Sequence, residues 1–316
     1  MPRSPATAAR HSVANTHSHR HNEPGIRIIG AQSDPRRQAT AAAVVRRVRA
    51  WPRRWRLGLA AALTLAAALA VLALPPLPQP QAYHQFADQR AWLGVAHFLN
   101  VASNAALVLA GAAGLWFMLG RGKGSAAGVC AQRWQRKPYL VFFVGVLLTG
   151  FGSAWYHAMP DNAGLTWDRL PMTLIFMSLL AAMVGERISA RVARLGLAPL
   201  LVLGLASVML WHLGEQRGVG DLRLYGFVQF YSALMIPVIV LLFPARCGGD
   251  REVLQALALY ALAMLCGELL DARIFALGQV VSGHTLKHLF AGAAAYRVLR
   301  MLQARRANGR VDAFSE

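Results

Sequence analysis

Gly150-Phe-Gly-Ser-Ala-Trp-Tyr-His157 closes one of the apolar segments of this chain. Within it Ser153 and His157 stand four residues apart, and residues four apart on a helix lie on the same face. The same spacing separates His284 from His288 in another apolar segment far downstream. The sequence therefore predicts two apolar helices, each of which directs a pair of polar side chains to one side.

Three histidines on two helices, at His157, His284 and His288, suit a catalytic zinc site. Such a site takes three protein ligands and leaves a fourth position for water. Asp168 opens the apolar segment that follows His157 and adds a carboxylate. Polar groups on membrane helices are costly and mark functional sites by default. Ordinary polar contacts between helices are the alternative, because Ser and His also hydrogen-bond across membrane helices.

The composition is that of a membrane protein. Hydrophobic residues make up 56% of the chain, charged residues make up 15%, and the mean hydropathy is +0.38. The formal net charge is +19, but residues 1–56 alone hold twelve arginines and two acidic residues. The remaining basic residues lie mostly in short loops between apolar segments, as membrane topology requires. This distribution argues against nucleic-acid binding, which needs a basic groove with interleaved aromatic residues.

Eight apolar segments are long enough, or nearly so, to cross the roughly 30 Å of hydrocarbon in a bilayer. They show no alternating strand pattern, and helices are the natural choice at this hydropathy. The sequence therefore predicts an all-α, multi-pass membrane helix bundle. The segments are Leu57–Leu74 and residues 94–119, 138–157, 169–185, 195–213, 224–243, 253–271 and 280–302.

Lysine and arginine are concentrated in alternate loops and in the tail at residues 303–316. The positive-inside rule assigns these loops and this tail to the cytoplasm. If every segment crosses the membrane, His157, Asp168 and His284 then all lie near the opposite, non-cytoplasmic side. This agreement is independent of the spacing argument and supports a single site.

The N-terminal region divides into a tail and an apolar run. Residues 1–50 are polar and rich in arginine and alanine, which predicts a disordered basic tail. Leu57–Leu74 could be a signal peptide or an uncleaved membrane anchor, and its length favours the anchor. The three cysteines have no CxxC spacing and are predicted to be free thiols. They are Cys130, Cys247 and Cys266.

Several stretches together resemble the alkaline ceramidase family, part of the superfamily that includes the adiponectin and progestin receptors. Phe98-Leu-Asn-Val-Ala-Ser-Asn104 resembles its Phe-Trp-Asn-x-x-Ser-Asn stretch, and Trp167-Asp-Arg-Leu-Pro-Met172 resembles its Asp-x-Leu-Pro-Met pattern. Ser-x3-His, Asp and His-x3-His follow in the family's order. Gly220-Asp-Leu-Arg and Ser282-Gly-His-Thr-Leu-Lys-His288 make the bacterial branch the more similar one. The resemblance implies a seven-helix core over residues 83–302, with the N-terminal anchor as an extra helix.

The resemblance also implies a reaction and a set of roles. Zinc would be held by His157, His284 and His288, Asp168 would transfer protons, and Ser153 would hydrogen-bond an oxyanion. The reaction would be hydrolysis of the amide bond of ceramide or a related N-acyl lipid, which gives a fatty acid and a sphingoid base. The implied partners are the bilayer and its lipids, and the implied location is the bacterial inner membrane.

Other polar residues leave alternatives open. Glu268 and Asp271 could orient a ligand histidine through its other ring nitrogen, or could simply cap a helix end that faces water. Animal members of the family carry a calcium site, but here His97 replaces its glutamate and Asp88 is the nearest carboxylate. Calcium needs several oxygen ligands, so no calcium site is predicted.

Two other functions compete with amide hydrolysis of a sphingolipid. The chain could be a receptor-like member of the superfamily with a structural zinc site, or a hydrolase of a different membrane lipid. A transporter is less well supported, because no internal repeat or pair of broken helices is visible. The oligomeric state stays open.

Overall fold

The structure is a computed structural model, described over residues 43–120, 133–245 and 248–312. The predicted all-α bundle is confirmed, since the regular elements in these ranges are helices and the only β-type pairing there is an isolated bridge from Trp92 to Val95. Most of the predicted N-terminal tail lies outside the described residues, as do Cys130 and Cys247, whereas residues 43–49 are helical. The helices are α1 (Arg53–Ala73), α2 (Phe98–Leu119), α3 (Arg136–Ala158), α4 (Asn162–Arg187), α5 (Ala190–Glu215), α6 (Arg223–Leu242), α7 (Asp250–Leu269), α8 (Asp271–Ala276) and α9 (Gly283–Asp312).

Helices α1 to α7 are the seven in the described part of the chain that are long and apolar enough to cross a membrane. Helix α9 is longer, at 30 residues, but it carries Lys287, Arg297 and Arg300 and does not belong to those seven. Two of these charges have partners inside the bundle, because Lys287 pairs with Glu268 and Arg297 donates to Gln255. With seven such helices, the protein is an integral membrane protein. Helix α9 packs against α2 and α7.

Close packing in the core depends on small residues. A Cβ at Gly292 of α9 would lie 2.8 Å from the backbone carbonyl carbon of Ala106 in α2, so only glycine lets these helices approach so closely. By contrast, α1 has no buried residue and is joined to α6 by a 2.8 Å hydrogen bond between Thr64 and Tyr231. The arrangement is a seven-helix core, α2 to α7 with α9, and one peripheral N-terminal helix.

Helix α4 begins earlier than the hydropathy of its segment predicts. Asp161 is the N-cap and its side chain accepts a 2.5 Å hydrogen bond from the backbone N–H of Gly164. The helix therefore starts at Asn162, and Asp168 lies in its second turn rather than at its first residue. Because the first turn is polar, the hydropathy of the segment does not predict this start.

The segment between α1 and α2, residues 74–97, closes one end of the bundle, and we call it the cap segment. The backbone oxygen of Leu77 accepts a 2.8 Å hydrogen bond from Leu222, before α6. The backbone N–H of Ala87 donates to Asp271 at 3.0 Å, and Arg90 donates to the backbone oxygen of Val280 at 2.9 Å. These bonds fix the segment over the end of the bundle where α3 finishes and α4 and α9 begin.

Candidate active site

The three predicted metal ligands meet beneath the cap segment. His157 comes from the last turn of α3, and His284 and His288 come from the first two turns of α9. All three are buried, and one ligand atom from each lies within 4.8 Å of the others. The Nε2 atoms of His157 and His284 are 3.2 Å apart. The structure thus brings together the two histidine-bearing helices that the spacing predicts.

The nitrogen atoms of this cluster suit a metal ion. The hydroxyl of Ser103 lies 3.1 Å from the backbone oxygen of Asn100, to which it can donate, and 2.8 Å from Nδ1 of His288, from which it can accept. With the His288 proton on Nδ1, the Nε2 lone pair is available as a ligand. Two Nε2 atoms as close as those of His157 and His284 need a proton or a cation between them. Three neutral imidazoles are a donor set typical of zinc.

Aromatic side chains of the cap segment shield the cluster. The ring of Phe86 meets the rings of His157 and His284 edge-on, with centroids 4.6 Å and 4.8 Å away. His84 is bound through both ring nitrogens, to Tyr156 and to Asn162, at 2.9 Å each. The Phe86 ring therefore covers the side of the histidine cluster that faces the cap segment, which limits solvent access there.

Asp168 and Ser153 lie beside the cluster and face a cavity that also contacts His288. Ser153 is buried at 2% exposure, and it shares the cavity wall with Asp168. The structure therefore places both of the predicted non-ligand site residues along one wall, next to a metal-ligating candidate.

The cavity has a volume of about 280 Å³ and runs between the helices away from the cap segment. One end is polar, where Ser153, Asp168 and His288 contribute to the wall. The remainder is mostly apolar and is formed by α2, α3, α4, α6, α7 and α9, with Gln229 and Tyr260 among its few polar side chains. Phe142, Leu179, Ile236, Ala256 and Val298 are among the residues that line it.

The two carboxylates that sequence reasoning could not assign have distinct partners. Glu268 forms a 2.5 Å ion pair with Lys287, and both line the cavity. Asp271 accepts the backbone N–H of His284 at 2.7 Å, which anchors the start of α9. Among the described residues, no hydrogen bond joins either carboxylate to a histidine ring. Asp271 can orient His284 by binding the backbone N–H of that histidine. Glu268 pairs with the charge of Lys287 at the cavity wall.

Asp88, the carboxylate nearest the start of α2, is held by Arg90. The two side chains form a two-pronged ion pair at 2.8 Å and 2.7 Å, and the hydrogen bond from Arg90 holds the pKa of Asp88 below its ordinary value. His97 precedes α2 in the left-handed backbone region, at φ 48°, and burial lowers its pKa. Before α2 the chain thus has an ion pair between Arg90 and Asp88, and Arg90 fastens the cap segment to the loop before α9.

Other histidines are used for structure. His212 of α5 bonds Thr166 at 2.8 Å through Nδ1 and Gln216 at 2.9 Å through Nε2. His212 thus has no free ring nitrogen for a metal.

Sequence reasoning missed three contributors to this site. Ser103 hydrogen-bonds the ring of His288. It lies in the stretch from Phe98 to Asn104 that resembles the family, but the sequence alone assigns it no role. Arg169 and Tyr83 also line the cavity. Their importance depends on neighbours from distant segments, so no local pattern could show it.

The comparisons with known proteins agree with this geometry. The family model described as Ceramidase matches residues 91–314, most of the chain from the cap segment onwards. The matched region contains all three histidines of the cluster together with Ser153 and Asp168. No curated protein and no solved structure matches the chain.

Proposed function

Because the chain belongs to the Ceramidase family, we propose that it hydrolyses the amide bond of ceramide or a related N-acyl lipid. The products would be a fatty acid and a sphingoid base or another amine. The observation that carries this proposal is the cavity, whose polar end adjoins the histidine cluster and whose remainder is apolar. Such a cavity can hold an acyl chain while its amide group stays beside the polar side chains.

We propose zinc as the metal, held by His157, His284 and His288. Zinc bound by three histidines lowers the pKa of a water molecule to about 7 and thereby supplies a nucleophile at neutral pH. The Phe86 ring over the cluster favours this chemistry, because electrostatic interactions are stronger where water is excluded.

Ser153 and Asp168, which line the same cavity, have the two remaining roles. Asp168 as a carboxylate can accept the proton of the attacking water and pass it to the leaving amine. The Ser153 hydroxyl faces the same cavity and can donate its one proton to the developing oxyanion of the amide.

Product analysis tests the proposed function directly. Zinc-loaded protein in detergent would be incubated with ceramide, an N-acylethanolamine, an N-acyl amino acid and a diacylglycerol, and the products identified by mass spectrometry. We expect fatty acid and free amine in equal amounts from one or more N-acyl lipids. Release from the diacylglycerol alone would indicate a hydrolase of a different lipid class. A zinc-loaded protein that releases nothing would favour the receptor-like alternative.

We also propose that the protein resides in a bacterial inner membrane with its C-terminus in the cytoplasm and the histidine cluster on the other side. Reporter fusions at the basic positions should be active in the cytoplasm, and fusions at the cap end should be active outside, as the loop charges predict. A cytoplasmic signal from the cap-end fusions would contradict this orientation. The basic positions are Arg136, Arg191 and Arg306, and the cap-end positions are Asp161 and Gly218.

A further inference from the structure

Arg169 follows Asp168 on α4 and contributes a buried guanidinium to the wall of the same cavity. Its exposure is 6%. One terminal nitrogen donates to the side-chain oxygen of Gln79 at 2.7 Å, whereas the other, Nη1, is buried without a hydrogen-bond partner. A buried donor without a partner is costly, and more so when it belongs to a charged group. This arrangement indicates a ligand that the guanidinium is prepared to receive.

The guanidinium also has no anionic group in direct contact among the described residues, although Asp168 and Glu268 lie near enough to interact with its charge at longer range. Among the described residues, no carboxylate oxygen lies within 4.0 Å of it, whereas neighbouring Lys287 is paired with Glu268. Buried charges in proteins are normally paired, because removing a cation from water is costly. Asp168 shares the cavity wall with Arg169, but among the described residues it forms no ion pair with the guanidinium within 4.0 Å.

Aromatic rings hold the guanidinium in place without neutralising it. The centroids of the Trp211, Tyr225 and Tyr83 rings lie 4.5 Å, 5.0 Å and 5.5 Å from its central carbon. Such contacts recover part of the cost of desolvation. Glu215 bonds the Trp211 indole at 3.1 Å and the Asn162 amide at 3.1 Å instead of the arginine. The positive charge thus remains available to the cavity.

We propose that Arg169 binds an anionic oxygen group, a carboxylate or a phosphate, on the amine portion of the substrate. This inference rests on the proposed function and narrows its substrate to N-acyl lipids with an acidic head, such as N-acyl amino acids or phosphorylated ceramides. The planar guanidinium matches carboxylate and phosphate oxygens in geometry and in charge. The acyl chain takes the apolar part of the cavity, so the amine portion is the part that meets Arg169 at the polar end.

Binding of ligands that cannot be hydrolysed tests the inference separately from the reaction. Hexadecyloxyacetate, hexadecyloxyethyl phosphate and hexadecyloxyethanol share one chain and contain an ether in place of the amide. We expect zinc-loaded wild-type protein to bind one or both acidic ligands roughly tenfold to a hundredfold more tightly than the alcohol, as a charge-assisted hydrogen bond allows. The carboxylate and phosphate arms distinguish the two sources of charge. Equal binding of all three ligands overturns the inference, even if the protein hydrolyses ceramide.

Variants separate Arg169 from the metal as the source of this preference. Arg169→Gln should retain its zinc and bind the acidic ligands no better than the alcohol, and Arg169→Lys should keep only part of the preference. Arg223→Gln is the matched control, because Arg223 pairs with Asp221 at the same end of the bundle and does not line the cavity. A preference that persists in zinc-loaded Arg169→Gln would assign the anion to the metal and overturn the inference. If that variant does not fold, an undiminished preference in Arg169→Lys overturns it instead.

Discussion

Replacing His288 by alanine should remove most of the zinc from the purified protein and abolish fatty-acid release. In the proposed site His288 would be one of three protein ligands, and the bond between its Nδ1 and Ser103 leaves Nε2 to face the metal. We expect about one zinc per chain in wild-type protein, as in other three-ligand catalytic sites. Zinc would be measured by atomic emission against protein concentration, with hydrolysis assayed on the same samples.

Two further variants calibrate this result. His212→Ala removes a histidine whose ring nitrogens are bound to Thr166 and Gln216, so its zinc content should match that of wild-type protein. Ser103→Ala removes only the support of His288 and should weaken zinc binding by roughly tenfold to a hundredfold. If His288→Ala kept all of its zinc, the three histidines would not form the metal site.

The sequence predicts those features of this fold that are properties of single segments. Hydropathy identifies the apolar helices, and four-residue spacing places Ser153 with His157 on one face and His284 with His288 on another. Loop charges add the direction of each helix, which is sufficient to bring the two pairs to one end of the bundle. The start of α4 was missed because the cap at Asp161 and the first polar turn have no apolar periodicity.

The remainder of the site depends on contacts between segments that are far apart in the chain. The ring of His288 is held through Nδ1 by Ser103, 185 residues earlier. The surroundings of Arg169 combine Gln79 and Tyr83 from the cap segment with rings from α5 and α6. No pattern within one segment encodes these contacts. They arise only when the cap segment is fastened over the bundle.

The cap segment also explains how a polar site can exist on such apolar helices. Asp88 and Arg90 fasten it to the loop before α9, and Asp271 binds both Ala87 and the backbone of His284. The same contacts that close the bundle therefore position the start of α9. A change in the cap segment should act on the histidine cluster through this shared anchor rather than through direct contact with a metal.

Asp168→Asn should leave zinc in place while lowering the rate of hydrolysis by roughly a hundredfold to ten-thousandfold. Asparagine keeps the size of the side chain and an oxygen that can accept hydrogen bonds, but it cannot take up a proton. Ser153→Ala should also keep zinc and lose about a hundredfold, as expected for one oxyanion donor. Asp161→Asn is the control: it removes a carboxylate from the N-cap of the same helix, where asparagine caps equally well, so rate and stability should hardly change. Undiminished turnover in Asp168→Asn would exclude this carboxylate from proton transfer, and loss of zinc would show instead that it helps to hold the metal.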